Sequence, residues 1–141
     1  GPVEVEGATG ELDTNFPGKL EAVWSKLQQY DFVCLHLEAP DECTHNGDLP
    51  GKLKAIEWLD SKLVAPLTAR LEQSGQDYRL LLLSDHKTLT ATRGHGADPV
   101  PFLIYDSRRD THRGGVYDEP AGEAGPFVEN GSALLDMLFE R

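Results

Sequence analysis

The residues best suited to chemistry lie between His36 and Asp48, where His36, Glu38, Asp41, Glu42, His45 and Asp48 follow directly on an apolar run. A solvated loop would carry the same residue types. The spacing of Asp41 and His45 weighs against that reading, because residues four apart share a face if the segment makes even one helical turn. A carboxylate and an imidazole on one face can ligate one cation. The leading residue is Asp rather than His, so the pair is not the HExxH arrangement of zinc peptidases. Ser84-Asp85-His86 sets a second carboxylate beside an imidazole at the end of another apolar run. His95 precedes Asp98-Pro99-Val100-Pro101, whose prolines lock the approach to a third run and leave the histidine on the loop before it. Each of these two is a weak signal alone, since Asp-His neighbours arise by chance. Together the three groups offer oxygen and nitrogen ligands suited to Mn²⁺ or Zn²⁺ and too rich in nitrogen for Ca²⁺. Two such ions a few Å apart form the clamp used in phosphoryl transfer.

These groups need elements to carry them. Val3 to Glu6 alternates as a short strand would, and Gly7-Ala8-Thr9-Gly10 after it lacks the Lys-Ser/Thr ending of a P-loop, which favours a tight turn over a phosphate cradle. Leu20, Val23, Trp24 and Leu27 recur at helical steps within Gly18 to Gln29. Phe32 to Leu37 is nearly continuous apolar sequence, as expected of a strand covered on both faces. From Lys52 to Gln73, Leu53, Ile56, Leu59, Leu63 and Leu67 mark a long amphipathic helix that Pro66 bends or shortens. Tyr78 to Leu83 and Val100 to Tyr105 are two further buried strands, Asp106 to Asn130 is a glycine-rich polar loop, and Ser132 to Arg141 is a short helix. Trp24 and Trp58 fall on helix faces. Alternating strand and helix predicts an α/β three-layer sandwich with a mainly parallel central sheet, because parallel strands need helical crossovers. In such sheets ligands sit beyond the carboxyl ends of the strands, where these histidines and carboxylates cluster.

The chain's 141 residues suit a single domain, and its formal net charge of -11 leaves no basic stripe for a nucleic-acid backbone. An acidic protein can still bind a phosphorylated metabolite if divalent cations supply the positive charge. No apolar stretch approaches the ~20 residues that span a bilayer, and the amino end has no charged leader, so a soluble, cytoplasmic protein without membrane contact is expected. Cys34 and Cys43 form no CxxC pair and are expected as free thiols.

Read in order, the motifs resemble the archaeal-type, cofactor-independent phosphoglycerate mutases of the alkaline phosphatase superfamily. They are His36-x-Glu38-Ala39-Pro40-Asp41-Glu42-x-x-His45-x-Gly47-Asp48, then Lys52 and Ile56-Glu57-x-x-Asp60, then Asp85-His86-x-Thr88, then His95-x-x-Asp98-Pro99-Val100-Pro101-Phe102. The resemblance implies two divalent metal ions, Mn or Zn with Mg and Co as further candidates. Asp41, His45 and His95 match the ligands of one, and Asp85 and His86 match two ligands of the other. His36, Glu38 and Glu42 are candidates for outer contacts, although a histidine at a strand end is as often merely hydrogen-bonded. His112, in an Arg- and Gly-containing loop, is expected to be exposed and without a role. The implied activity interconverts 3-phosphoglycerate and 2-phosphoglycerate, a phosphorylated three-carbon acid, through a phosphoenzyme. No segment matches the family's phosphate-accepting Ser or Thr or its amino-terminal aspartate, so the chain corresponds to the carboxy-terminal part of the catalytic domain and is expected to be inactive alone. Lys87 and Leu89 stand where relatives usually have prolines, and Gly94 and Gly96 flank His95, which bears on loop geometry. The alternatives are another phosphotransferase or phosphatase of the superfamily, including relatives labelled homoserine kinases, a non-catalytic half that binds metal or a partner, and a plain structural domain. A partial sheet would also expose an edge open to self-association.

Overall fold

The computed structural model describes residues 1–112 and 114–140. They pack as two compact units, one of Gly1–Gly75 with Thr88–Gly94, the other of Gln76–Lys87 with the chain from His95 onward.

In the first unit, helix α1 (Phe16–Leu27) starts at Asn15, whose Oδ1 accepts the Gly18 N–H at 2.9 Å, with a proline in the first turn. The same side chain donates to Glu6 O at 2.8 Å, and the Asn15 N–H donates to Gly7 O at 3.0 Å, so one residue both caps the helix and closes the preceding turn. Gly7 takes φ +74 there. The turn forms as expected, but Val3 to Glu6 is irregular and not a strand. Phe16 and Leu20 of α1 pack on Leu63, with Leu35, Leu37, Trp58 and Leu67 around them. Phe16 meets Trp58 edge-on at 6.1 Å.

The expected strand at Phe32 to Leu37 joins no ladder among the described residues, and only alternate residues, Val33, Leu35 and Leu37, are partly buried. It is covered on one face, not both. Helix α2 (Ala39–His45) follows, then a long helical rod made of α3 (Leu49–Leu59), a π turn (Asp60–Val64) and α4 (Ala65–Ser74). The Ala65 N–H reaches back to Asp60 O. Pro66 has no N–H, and its ring would press on the carbonyl four residues back, so the ladder opens into a wide turn instead of breaking. The expected bend is therefore a π turn. The buried row is Gly51, Ala55 and Leu63, while Leu53 is 56% and Ile56 49% exposed, so two leucine-stripe positions face outward.

In the second unit, β1 (Arg79–Leu83) pairs antiparallel with β4 (Phe102–Asp106), in a register running from Arg79 opposite Asp106 to Leu83 opposite Phe102. Both strands lie where the sequence places them, but the parallel sheet expected of them does not form among the described residues. Tyr78 and Ser107 extend the pair: the Tyr78 N–H donates to Ser107 Oγ at 2.9 Å and the Ser107 N–H to Tyr78 O at 3.0 Å. Helix α6 (Ser132–Phe139) packs on β1 and buries Leu134. The polar stretch after β4 is not all loop, since Glu119–Glu123 forms α5, capped by the Asp118 side chain on the Ala121 N–H at 2.8 Å. A second two-stranded pair, β2 (Lys87–Leu89) with β3 (Gly94–Gly96), forms a hairpin about the first unit's Thr88–Gly94 segment. A proline at Lys87 or Leu89 would remove a backbone donor from this hairpin.

Candidate metal centre

Pro40 in the first turn of α2 fixes the start of that helix, and Thr44 Oγ1 bonds back to Pro40 O at 2.7 Å. The helical turn that the Asp41–His45 spacing requires is therefore present. His45 Nε2 lies 3.2 Å from Asp41 Oδ2, and both side chains are about one-third exposed. Donor atoms about 3–3.5 Å apart suit bonds of about 2.0–2.2 Å to a common ion. His45 Nδ1 lies 2.6 Å from Arg93 O. A carbonyl can only accept, so Nδ1 carries the proton, and in the neutral ring Nε2 holds the lone pair a cation needs.

Two further contacts hold the carboxylate side. Thr88 Oγ1 donates to Asp41 Oδ1 at 2.5 Å, and Lys52 Nζ donates to Thr88 O at 2.8 Å. Gly47, just after α2, takes φ +70, and a Cβ there would meet the Arg93 guanidinium at 2.5–2.7 Å. Glycine tolerates this positive φ and leaves room for the guanidinium. Arg93 itself takes φ 54, and its N–H closes the β2–β3 turn on Leu89 O at 2.8 Å.

The second unit carries the remaining candidates. Asp85 Oδ2 stands 3.4 Å from His86 Nε2, and Asp85 Oδ1 accepts the His86 N–H at 3.1 Å. The His86 and His95 rings stack at 3.6 Å with 27° between their planes. Asp85 and His86 line a groove of about 1100 Å³ together with Asp98, Tyr117, Asp118 and Glu119, among others. Apolar side chains make up most of this lining, but among its charged groups carboxylates prevail, and its one lysine, Lys87, is paired with Glu119 at 3.5 Å. Burial pushes the Tyr117 phenol above its ordinary value, and its hydroxyl donates to Pro101 O at 2.9 Å.

His36 and Glu38 face each other at 4.0 Å on the exposed side of the segment before α2, and Glu42 lies in the first turn of α2. His112 is exposed on its loop, its Nδ1 3.3 Å from Asp110. Cys34 and Cys43 are free thiols, the first exposed and the second buried, and burial raises the Cys43 pKa. Thr88, Lys52 and Arg93 have no ligating role in the sequence reading, although two of them fall inside its motifs. The signal for Thr88 is a hydroxyl two residues after an Asp-His pair; the contribution of Arg93 is a backbone carbonyl, which no side-chain pattern can report.

Residues 2–138 match the Metalloenzyme superfamily. The chain is 43% identical over 141 residues to the probable 2,3-bisphosphoglycerate-independent phosphoglycerate mutase of Geobacter sulfurreducens, a match covering 99% of this chain and 35% of that protein. The 2,3-bisphosphoglycerate-independent phosphoglycerate mutase of Methanosarcina acetivorans is 47% identical over 138 residues, covering 96% of this chain and 35% of that one. Among solved structures, the PH0037 protein of Pyrococcus horikoshii matches with a TM-score of 0.65 and 33% identity, over 72% of this chain and 30% of that protein. The chain thus spans about 35% of the length of these curated relatives. With the match running almost end to end and a solved α/β structure similar in both sequence and shape, this chain belongs to the Metalloenzyme superfamily and has its alkaline phosphatase-like α/β fold.

Proposed function

We propose that this chain is the carboxy-terminal part of the metal-binding catalytic domain of a cofactor-independent phosphoglycerate mutase. The whole protein would interconvert 3-phosphoglycerate and 2-phosphoglycerate through a phosphoenzyme, in cytoplasmic glycolysis and gluconeogenesis. The observation that carries the reading is the Asp41–His45 pair, set on one helical turn with its imidazole proton held away on Arg93 O. Asp41, His45 and His95 are assigned to one divalent cation, and Asp85 and His86 to the other, with Mn²⁺ and Zn²⁺ as the ions that suit this mixed donor set. When bound, the cations supply the positive charge that offsets phosphate oxygens in an in-line displacement.

The chain's own residues prepare the ground for those cations. Asp41 and Asp85 bring negative charge to them, and the Arg93 carbonyl keeps His45 in the tautomer whose Nε2 faces outward from that bond. The acidic lining of the groove around Asp85 would repel a phosphorylated acid unless cations lay between, which makes the metals a condition of substrate binding as well as of chemistry. His36, Glu38 and Glu42 extend the same acidic turn as outer residues. The segment at Phe32 to Leu37, which joins no ladder among the described residues, is assigned to pairing, either with further chain or with a second copy.

Calorimetric titration of Mn²⁺ and Zn²⁺ into this chain and into a His45→Ala, His95→Ala double variant tests the assignment. Binding by the parent that the double variant loses is the expected result; binding that survives the double substitution would overturn it. In a coupled assay the chain alone is expected to convert no 3-phosphoglycerate, because nothing in it matches the family's phosphate-accepting hydroxyl. Robust turnover would show that the assigned roles are incomplete.

A further inference from the structure

We propose that Thr88 is a positioning residue for Asp41, and that Lys52 anchors Thr88 for that purpose. The inference rests on the metal reading above. A carboxylate can only accept, so the 2.5 Å contact between Thr88 Oγ1 and Asp41 Oδ1 has one direction: the hydroxyl donates. That bond fixes the carboxylate's rotation and presents Oδ2 toward His45 Nε2, 3.2 Å away. Asp41 sits in the first turn of α2, where a carboxylate can turn toward backbone N–H groups instead, so an outside donor is needed to hold it in the ligating rotation.

Thr88 is suited to the task. Its β-branched side chain has few rotamers, and it stands in β2 with its carbonyl held by Lys52 Nζ at 2.8 Å. Lys52 projects from the first turns of α3, next to the buried Gly51 and behind the Asp48 cap, so its ammonium ties β2 to α3 through a single charged donor. The arrangement mirrors the one on the other ligand, where Arg93 O fixes the ring of His45. Outer groups of this kind typically alter metal affinity by about 10–100-fold when removed.

The test compares Thr88→Val, which keeps the shape and removes the donor, with Thr88→Ser, which keeps the donor. Each is titrated with Mn²⁺ and with Zn²⁺ by calorimetry, and each is melted without metal. Thr88→Val is expected to bind about 10–100-fold more weakly, Thr88→Ser to bind like the parent, and both to melt like the parent when metal-free. Lys52→Met is expected to weaken binding in the same direction. In metal-free protein at neutral pH the carboxyl ¹³C resonance of Asp41 should move in Thr88→Val and stay in place in Thr88→Ser. A parent chain that binds cations while Thr88→Val binds them equally well would overturn the positioning role alone. A parent chain that takes up neither ion would overturn the metal reading, and the positioning role with it.

Discussion

Arg79 joins three pieces of the second unit through one guanidinium. It donates to Asp106 Oδ2 at 2.8 Å, across the β1–β4 pair, and to the carbonyls of Leu138, at 3.1 Å, and Glu140 at the end of α6. A cation there also complements the negative end of the helix. Arg108 and then Arg79 hold the Asp106 carboxyl well below the usual carboxylate range. A carboxyl depressed in the folded state is more readily protonated in the unfolded one, so its stabilisation is complete above pH ~4 and is lost as pH falls toward the folded value. Thermal melts over an acid series should therefore show the parent losing stability below pH ~4, and Asp106→Asn starting lower with a flatter acid limb. The opposite sign holds for Tyr105, whose phenol is pushed up to about 12, chiefly by its hydrogen bond to Asp110. Its contribution is complete below pH ~10 and is lost as pH rises from there, and Asp110→Ala should return its phenolate absorbance transition toward ~10. At this scale the sequence carries the juxtaposition of Asp41 and His45 well, because a four-residue spacing is a geometric statement. It cannot carry Arg93, whose part is played by a carbonyl common to every residue.

The elements divide in the same way between what repeats locally and what depends on a neighbour. Of the expected row Leu20, Val23, Trp24 and Leu27, helix α1 buries the first two and half-buries the others, and it adds Phe16 from a turn that the spacing does not include. The rod from Leu49 to Ser74 is legible as a helix, but its apolar spacing puts Leu53 and Ile56 in the buried row, where the structure does not, since the inward row is set by what packs against it and by the π turn ahead of Pro66. Leu63, 2% exposed, lies in that π turn and touches the Phe16–Leu20 cluster. Leu63→Ala should cost about 2–5 kcal/mol in urea denaturation, while Ile56→Ala, on the exposed side, should cost well under that. A comparable loss at both positions would mean that the long apolar stripe, and not the shorter row, is the buried one.

For the molecule as a whole, the sequence places β1 and β4 but not their pairing, because an apolar run records how much of a strand is covered and says nothing of which strand lies beside it. Phe32 to Leu37 makes the same point more sharply. Its continuous apolar character suggests two covered faces, yet Val33, Leu35 and Leu37 are partly buried while Phe32 (45% exposed), Cys34 and His36 are exposed. An apolar segment that joins no ladder among the described residues can be a template for another strand. The outward face also carries a convenient reporter, since Cys34 is exposed whereas Cys43 is buried with a raised thiol pKa. In dilute solution a thiol reagent should modify Cys34 quickly and Cys43 slowly. If the proposed pairing is between copies, a rise in concentration should protect Cys34 and raise the sedimentation coefficient together. A charge on an edge strand opposes pairing, so Phe32→Lys should sediment as a monomer where the parent associates, with Cys34 open throughout. Association of both proteins to the same extent, or association that leaves Cys34 as reactive as before, would place the contact elsewhere.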